Sequence, residues 1–148
     1  MLSRLFILSL FATFVSSTVT DCAPGKSLFI INSQGFGPDP PIVGEKSTLW
    51  IDYTVPEGVE ISAGSAKYSI SLNGIPFPAT NEDLCTQIVC PQVPGTFNIS
   101  SGDVWEGGVS GKIVSKIEWF DTANSLLLCS QTTIRVAEST NYLRNQTE

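Results

Sequence analysis

Apolar residues recur at every second position along most of the chain. Between Ser47 and Val55, Leu49, Ile51, Tyr53 and Val55 share one face, while Trp50, Asp52 and Thr54 share the other. Ala66 to Leu72 repeats the pattern, with Tyr68, Ile70 and Leu72 set against Lys67, Ser69 and Ser71. In Gly95 to Ser100, Phe97 and Ile99 oppose Asn98 and Ser100. Lys112 to Phe120 places Ile113, Ser115, Ile117 and Trp119 on one face, and Leu126 to Val136 does the same for Leu128, Ser130, Thr132, Ile134 and Val136. Successive side chains of a strand point to opposite sides, so each segment predicts a strand with one wet face. A further short strand is predicted over Lys26 to Asn32. Pro38, Pro40 and Pro41 make Phe36 to Gly44 an irregular crossing. Pro76 and Pro78 have no amide for ladder pairing and end the strand that reaches Leu72. Gly107-Gly108 marks a turn, and Asp121 to Asn124 closes the last two strands into a hairpin.

Six or seven short strands separated by turn signals predict an all-β, immunoglobulin-like β-sandwich of two antiparallel sheets. Composition agrees. The chain has 148 residues, room for one domain, and its 9 prolines and 12 glycines argue against a helix bundle. The inner faces must bury Leu49, Ile51, Tyr53, Tyr68, Ile70, Leu72, Phe97, Ile99, Ile113, Ile117, Trp119, Ile134 and Val136. Periodicity does not say whether that interior is filled or hollow.

Charge and chemistry narrow the function. With 14 acidic and 8 scattered basic residues the net charge is -6, which excludes a phosphate-backbone binder. There is no histidine, so Ser-His-Asp and Cys-His catalysis and His-ligated zinc are absent. A two-carboxylate glycosidase is the only chemistry left. No acid lies in an aromatic-rich, sugar-binding-like stretch, and the Glu82-Asp83 pair reads as solvated loop. The expectation is a protein that is not an enzyme and needs no metal or cofactor.

The first residues are a different material. Arg4 precedes an apolar run from Leu5 to Val15, broken only by Ser9 and Thr13, and small residues follow at Ser16-Ser17. This reads as a secretory signal peptide over residues 1–17, with a cut possible as late as Thr20. A membrane span would need roughly 20 apolar residues. The mature domain is then 18–148, with 137–148 a polar tail. In an oxidising compartment the four cysteines read as two disulfides. Cys85 and Cys90, five positions apart, suit a local clip, which leaves Cys22 with Cys129. A zinc site would need C-x-x-C-like spacing, which is missing. Two glycosylation sequons, Asn98-Ile99-Ser100 and Asn145-Gln146-Thr147, fit the same compartment. Asn98 lies on the polar face of its strand, where a glycan fits.

Several local features then form an ordered set. Asp21-Cys22 opens the mature chain, and Gly44-Glu45-Lys46 precedes an alternating strand. Asn73-Gly74-Ile75-Pro76-Phe77-Pro78 is followed by Leu84-Cys85 and Cys90-Pro91, then by Lys116-Ile117-Glu118-Trp119 and Leu126-Leu127-Leu128-Cys129. This set resembles the ML-domain lipid-recognition family, which includes the Niemann–Pick type C cholesterol carrier and fungal phosphatidylglycerol/phosphatidylinositol transfer proteins. The resemblance spans Asp21 to Val136. It implies two splayed sheets with one lipid, a sterol or a phospholipid, held in a cavity between them. It implies the pairs Cys22–Cys129 and Cys85–Cys90. The family's sterol carriers have a third disulfide in the first crossing, and Asn32 to Gly44 has no cysteine here.

The expected lipid contacts are Tyr53, Tyr68, Ile70, Phe97, Ile99, Ile117 and Trp119 on the inner faces. Ile75 and Phe77, with Pro78, are expected at the rim of an opening. Trp105, between Asp103 and Glu106 in its loop, reads as a half-buried anchor. The function these residues imply is lipid carriage between membranes by a monomer that touches a bilayer transiently. Its place is outside the cell or in the endosomal, lysosomal or vacuolar lumen. The rival is a secreted recognition or adhesion module without a lipid, which would purify empty.

Overall fold

The computed structural model describes residues 16–136. Most of the expected signal peptide, the polar tail and the Asn145 sequon lie outside the described residues. Those described form nine strands and one short helix: β1 (Ser17–Asp21), β2 (Ile30–Gly37), β3 (Lys46–Val55), β4 (Gly64–Leu72), β5 (Ile75–Pro76), β6 (Thr80–Asp83), α1 (Leu84–Gln87), β7 (Gly95–Val104), β8 (Gly111–Asp121) and β9 (Leu126–Val136). One sheet runs β1-β9-β8-β4-β5, with β6 also pairing β4; the other runs β2-β3-β7. Every pairing is antiparallel. The chain is thus an all-β sandwich of two sheets.

The alternation places only part of the core as expected: Leu49, Tyr68, Leu72, Phe97, Ile99, Ile113 and Val136 are half-buried, and Ile70, expected inside, is 48% exposed because it borders the open end of the sandwich. Ile51, Tyr53 and Val55 of β3, Ile117 and Trp119 of β8, and Leu128 and Ile134 of β9 are buried. The core is densest at one end of the sandwich. There Tyr53 stacks between Phe29 and Phe97 at centroid distances of 5.5 and 5.7 Å, and meets Trp119 edge-on at 5.4 Å. Leu84, Ile61 and Ile88 close that end. Asp83 caps α1 by accepting from the Cys85 amide at 2.8 Å, which satisfies an otherwise unpaired helix-start donor. Glu82 and Asp83 therefore belong to a strand edge and a cap, not to a free loop.

Five elements differ from the sequence expectation. The predicted strand over Lys26 to Asn32 begins only at Ile30 and continues to Gly37, into the segment expected to be irregular. The stretch before it still follows the other sheet, because the Leu28 and Phe29 amides donate to the Leu126 and Leu127 carbonyls at 3.0 and 2.8 Å. β7 runs to Val104, past the last alternating residue, because its ladder with β3 continues to Lys46. The short strands β1, β5 and β6 carry no alternation long enough to be read. A chain cut after Ser17 keeps four of β1's five residues; one cut after Thr20 keeps only Asp21.

Both disulfides join as expected. Cys22–Cys129 closes a separation of 107 residues and Cys85–Cys90 one of 5. Loop-closure entropy assigns about 4.7 kcal/mol to a loop of the first size and about 2 kcal/mol to the second. Replacing Cys22 and Cys129 together by serine is therefore expected to lower stability in denaturant titration more than replacing Cys85 and Cys90.

The phenol of Tyr53 donates to Gln92 Oε1 at 2.8 Å inside the core, and burial pushes its pKa up to about 12. A phenol whose folded pKa is raised contributes stability that is intact below the unfolded value near 10. That stability is lost as pH rises through the folded value. The protein should lose stability between about pH 10 and about 12. Tyr53→Phe should remove that slope in thermal unfolding across the alkaline range. At neutral pH it should cost about 1–3 kcal/mol, because Gln92 is left with a buried, unpaired acceptor.

Candidate functional site

The two sheets are fastened along one side only. β2 lies against β1 and β9, whereas among the described residues no comparable backbone approach joins β7 to β4. Ser130 of β9 donates to Gln34 of β2 at 2.7 Å, a polar bridge from sheet to sheet on the fastened side. Away from it the inner faces separate and leave a cavity of about 530 Å³.

The register shows which end of the sandwich the cavity occupies. Gly37 at the end of β2 pairs with Thr48 near the start of β3, and Lys46 pairs with Val104 at the end of β7. In the facing sheet, Leu72 at the end of β4 pairs with Ile113, which pairs with Ile134. These positions share one end, opposite the aromatic floor of Tyr53 and Trp119. The wall on the three-stranded side includes Phe36, Ser47 and Leu49; the facing wall includes Tyr68, Ile117 and Ile134. Alternation alone brings these side chains inward. What makes the space hollow is that residues 101–105 and Ile70 bound it without filling it.

The lining is apolar with a few hydroxyls. Ser47 on β3, Ser115 on β8 and Thr132 on β9 all face the cavity. Ser47 is only 6% exposed, and its Oγ finds no hydrogen-bond partner among the described residues. Asp103 is the sole ionisable carboxylate in the lining, and no Lys or Arg joins it. The Tyr68 phenol is raised above its ordinary pKa by burial and by the nearby Glu82, so it stays neutral. Among the described residues no group of three or more His, Cys, Asp or Glu gathers to hold a metal ion. The site can enclose an apolar body and offer it neutral hydrogen bonds.

The predicted contacts fall into three places. Tyr68, Ile70 and Ile117 line the cavity. Tyr53 and Trp119 lie in the fully buried floor, and Phe97 and Ile99 pack onto that floor from β7; none of these four reaches the cavity lining. Ile75 and Phe77 are exposed on a short return that pairs back onto β4, with the Phe77 amide donating to the Ile70 carbonyl at 2.9 Å. They sit beside the opening and not inside it. Trp105 is half-buried, as expected of an anchor. Its backbone pairs with Gly44 and Glu45, and its side chain also lines the cavity. Ser47, Leu49, Phe36, Ser115, Thr132 and Ile134 were not among the predicted contacts. Leu49 and Ile134 could have been found from their strand-end positions on the inward face.

Large apolar side chains stay exposed around the same end: Val43 (65%), Val104, Ile75 (68%) and Phe77 (53%). Val89 is exposed at the opposite end as well, so exposure by itself does not single out the opening.

No family model and no curated protein matches the sequence. Solved structures do match the fold. Chicken MD-1, crystallised in complex with lipid IVa, superposes with a TM-score of 0.61 at 11% identity, over 83% of this chain and 91% of that one. A Niemann-Pick type C2 protein from the Japanese carpenter ant superposes with a TM-score of 0.58 at 15% identity, over 78% of this chain and 96% of that one.

Proposed function

We propose that the protein binds one lipid between its sheets and carries it between membranes in the secretory or endosomal–lysosomal lumen, or outside the cell. The carrying observation is the cavity of about 530 Å³ at the unfastened end, with largely apolar walls in which Asp103 is the sole ionisable group of full charge and no cation is present. Its size falls within the usual range for small-ligand sites, about 300–1,000 Å³. MD-1, which shares the fold, was crystallised with a lipid, and that supports the same class of ligand here. The energetics suit the task. Burying a few hundred Å² of apolar surface is worth roughly 25 cal/mol per Å². A pre-formed slot avoids most of the ordering cost.

The lining also favours one kind of lipid. A phosphate or carboxylate placed inside would meet Asp103 and no cation. A single hydroxyl or ester group would meet Ser47, Ser115 and Thr132, and would relieve the unpaired Ser47 Oγ, whose isolation costs about 1–3 kcal/mol. The preferred ligand is therefore an uncharged, hydroxyl-bearing lipid such as a sterol. A phospholipid would have to keep its head outside the mouth. The exposed Val43, Val104, Ile75 and Phe77 are the surface that meets a bilayer when the ligand passes. Acting as a monomer and without chemical turnover completes the reading.

Native mass spectrometry of the chain secreted from a eukaryotic host tests occupancy, and delipidated protein tests uptake. The expected result is one equivalent of a fluorescent sterol, with phosphatidylglycerol a poor competitor. Leu49→Trp, which fills the cavity, should weaken uptake at least tenfold while the thermal midpoint holds. Tyr68→Ala should weaken binding more than it weakens the fold, and Phe97→Ala should do the reverse, because Phe97 stacks on the floor. Folded, lipid-free protein that takes up neither sterol nor phospholipid would overturn the proposal.

A further inference from the structure

The outer face of the three-stranded sheet is polar around its centre, with Ile30 and Val104 near its two ends and one aromatic, Trp50, between them. Trp50 is 38% exposed there, opposite Gly35 of β2 and Ser100 of β7. Its indole lies over Gly35, where any Cβ would run into the ring. A glycine inside an edge strand is a weak point, and an aromatic laid across it is one way to protect it. That accounts for one face of the indole. The other face looks out to solvent over hydrophilic neighbours.

One of those neighbours is a sequon asparagine. Asn98 is exposed on β7, opposite Asp52 of β3, and Ser100 of the same sequon is opposite Trp50. The Asn98 amide nitrogen donates to Asp52, whose other carboxylate oxygen accepts from Ser33 of β2. The Ser33 bond first, and the Asn98 bond second, hold the Asp52 carboxyl below its ordinary pKa. Asn98 Nδ2 is thus drawn off its own strand and over β3, in the direction in which the indole leans. Diagonal neighbours in an antiparallel pair are about 7–8 Å apart, within reach of an aromatic side chain.

We propose that Asn98 carries an N-linked glycan and that the first N-acetylglucosamine packs its apolar C–H face on the free face of Trp50. Attachment forms the Nδ2–C1 bond and breaks the C1–O bond to the pyrophosphate of a lipid-linked oligosaccharide donor. One amide proton leaves with the transfer. Nδ2 keeps its second hydrogen, so it can still donate to Asp52, and that contact aims the first sugar along the sheet. The platform is separate from the cavity, which opens on the other face of the same sheet.

The experiment uses the full chain secreted from a eukaryotic host. Glycopeptide mapping is expected to find Asn98 occupied, and trimming by an endoglycosidase leaves one sugar on it. Four proteins are then compared by thermal midpoint: the trimmed chain and Ser100→Ala, each with Trp50 and with Trp50→Ala. Ser100→Ala removes the sequon but keeps Asn98 and its bond to Asp52. Loss of the sugar should lower the midpoint by about 2–4 °C when Trp50 is present, a shift worth about 1 kcal/mol. It should leave the Trp50→Ala pair nearly equal. If Trp50→Ala fails to fold, the N-acetyl methyl proton of the single sugar gives the readout, since it should shift upfield over the indole. An unmodified Asn98 in folded, secreted protein overturns the proposal. So does an equal drop with and without the indole, or a methyl resonance at its unshifted position.

Discussion

The crossing from one sheet to the other, between the end of β1 and the start of β2, is the constraint on which the rest hangs. It is pinned to β9 at both ends. Cys22 is bound to Cys129 by a disulfide and by its amide on the Cys129 carbonyl, and Leu28 and Phe29 donate to the Leu126 and Leu127 carbonyls. A strand that enters the second sheet from such an anchor must lie against the edge of the first. Phe29 arrives buried and supplies one wall of the stack around Tyr53. The sandwich is consequently closed along one side and at one end, and free elsewhere. The cavity follows from that asymmetry and needs no special lining sequence to open it.

Much of this could be read from the residues because alternation is a direct consequence of strand geometry. The strands β3, β4, β7, β8 and β9, each with at least two alternating apolar positions, were all legible, and so was the pairing of the cysteines. What could not be read was made by partners and not by pattern. β1 has five residues and one large apolar side chain, Val19, and exists because β9 offers it a ladder. The second half of β2, with Gly35 and Gly37, is a strand because β3 beside it is strongly one. Lys26 to Phe29 looked like a strand and became an anchored crossing, since the Leu28 and Phe29 amides donate to the first two residues of β9.

The division of the interior into floor and cavity was equally out of reach, and for a simple reason. Ile117 and Trp119 sit two residues apart on the same face of β8, as Ala66 and Tyr68 do on β4. Period two treats each pair as equivalent. In the structure Trp119 and Ala66 pair side by side beneath the aromatic stack, while Ile117 and Tyr68 pair one step nearer the opening. The distance between the sheets separates their roles, and that distance is set by long-range fastening. The polar lining was missed for a related reason. Ser47, Ser115 and Thr132 weaken the apolar pattern, so a search for burial passes over them, although they give the cavity its hydrogen-bonding character.

A sandwich fastened along one long edge resembles a book bound at the spine. The Ser130–Gln34 bridge and the pinned crossing lie at the binding, and β7 is the loose margin of its page. The floor is shut by Phe29, Tyr53 and Trp119, and Phe97 ties the far half of that page to the same stack. The depth of the cavity is therefore set by packed aromatics, and its width by the spacing between the two pages. For a guest of the kind proposed, length and the place of its polar group along that length are then the properties such a blind-ended slot selects.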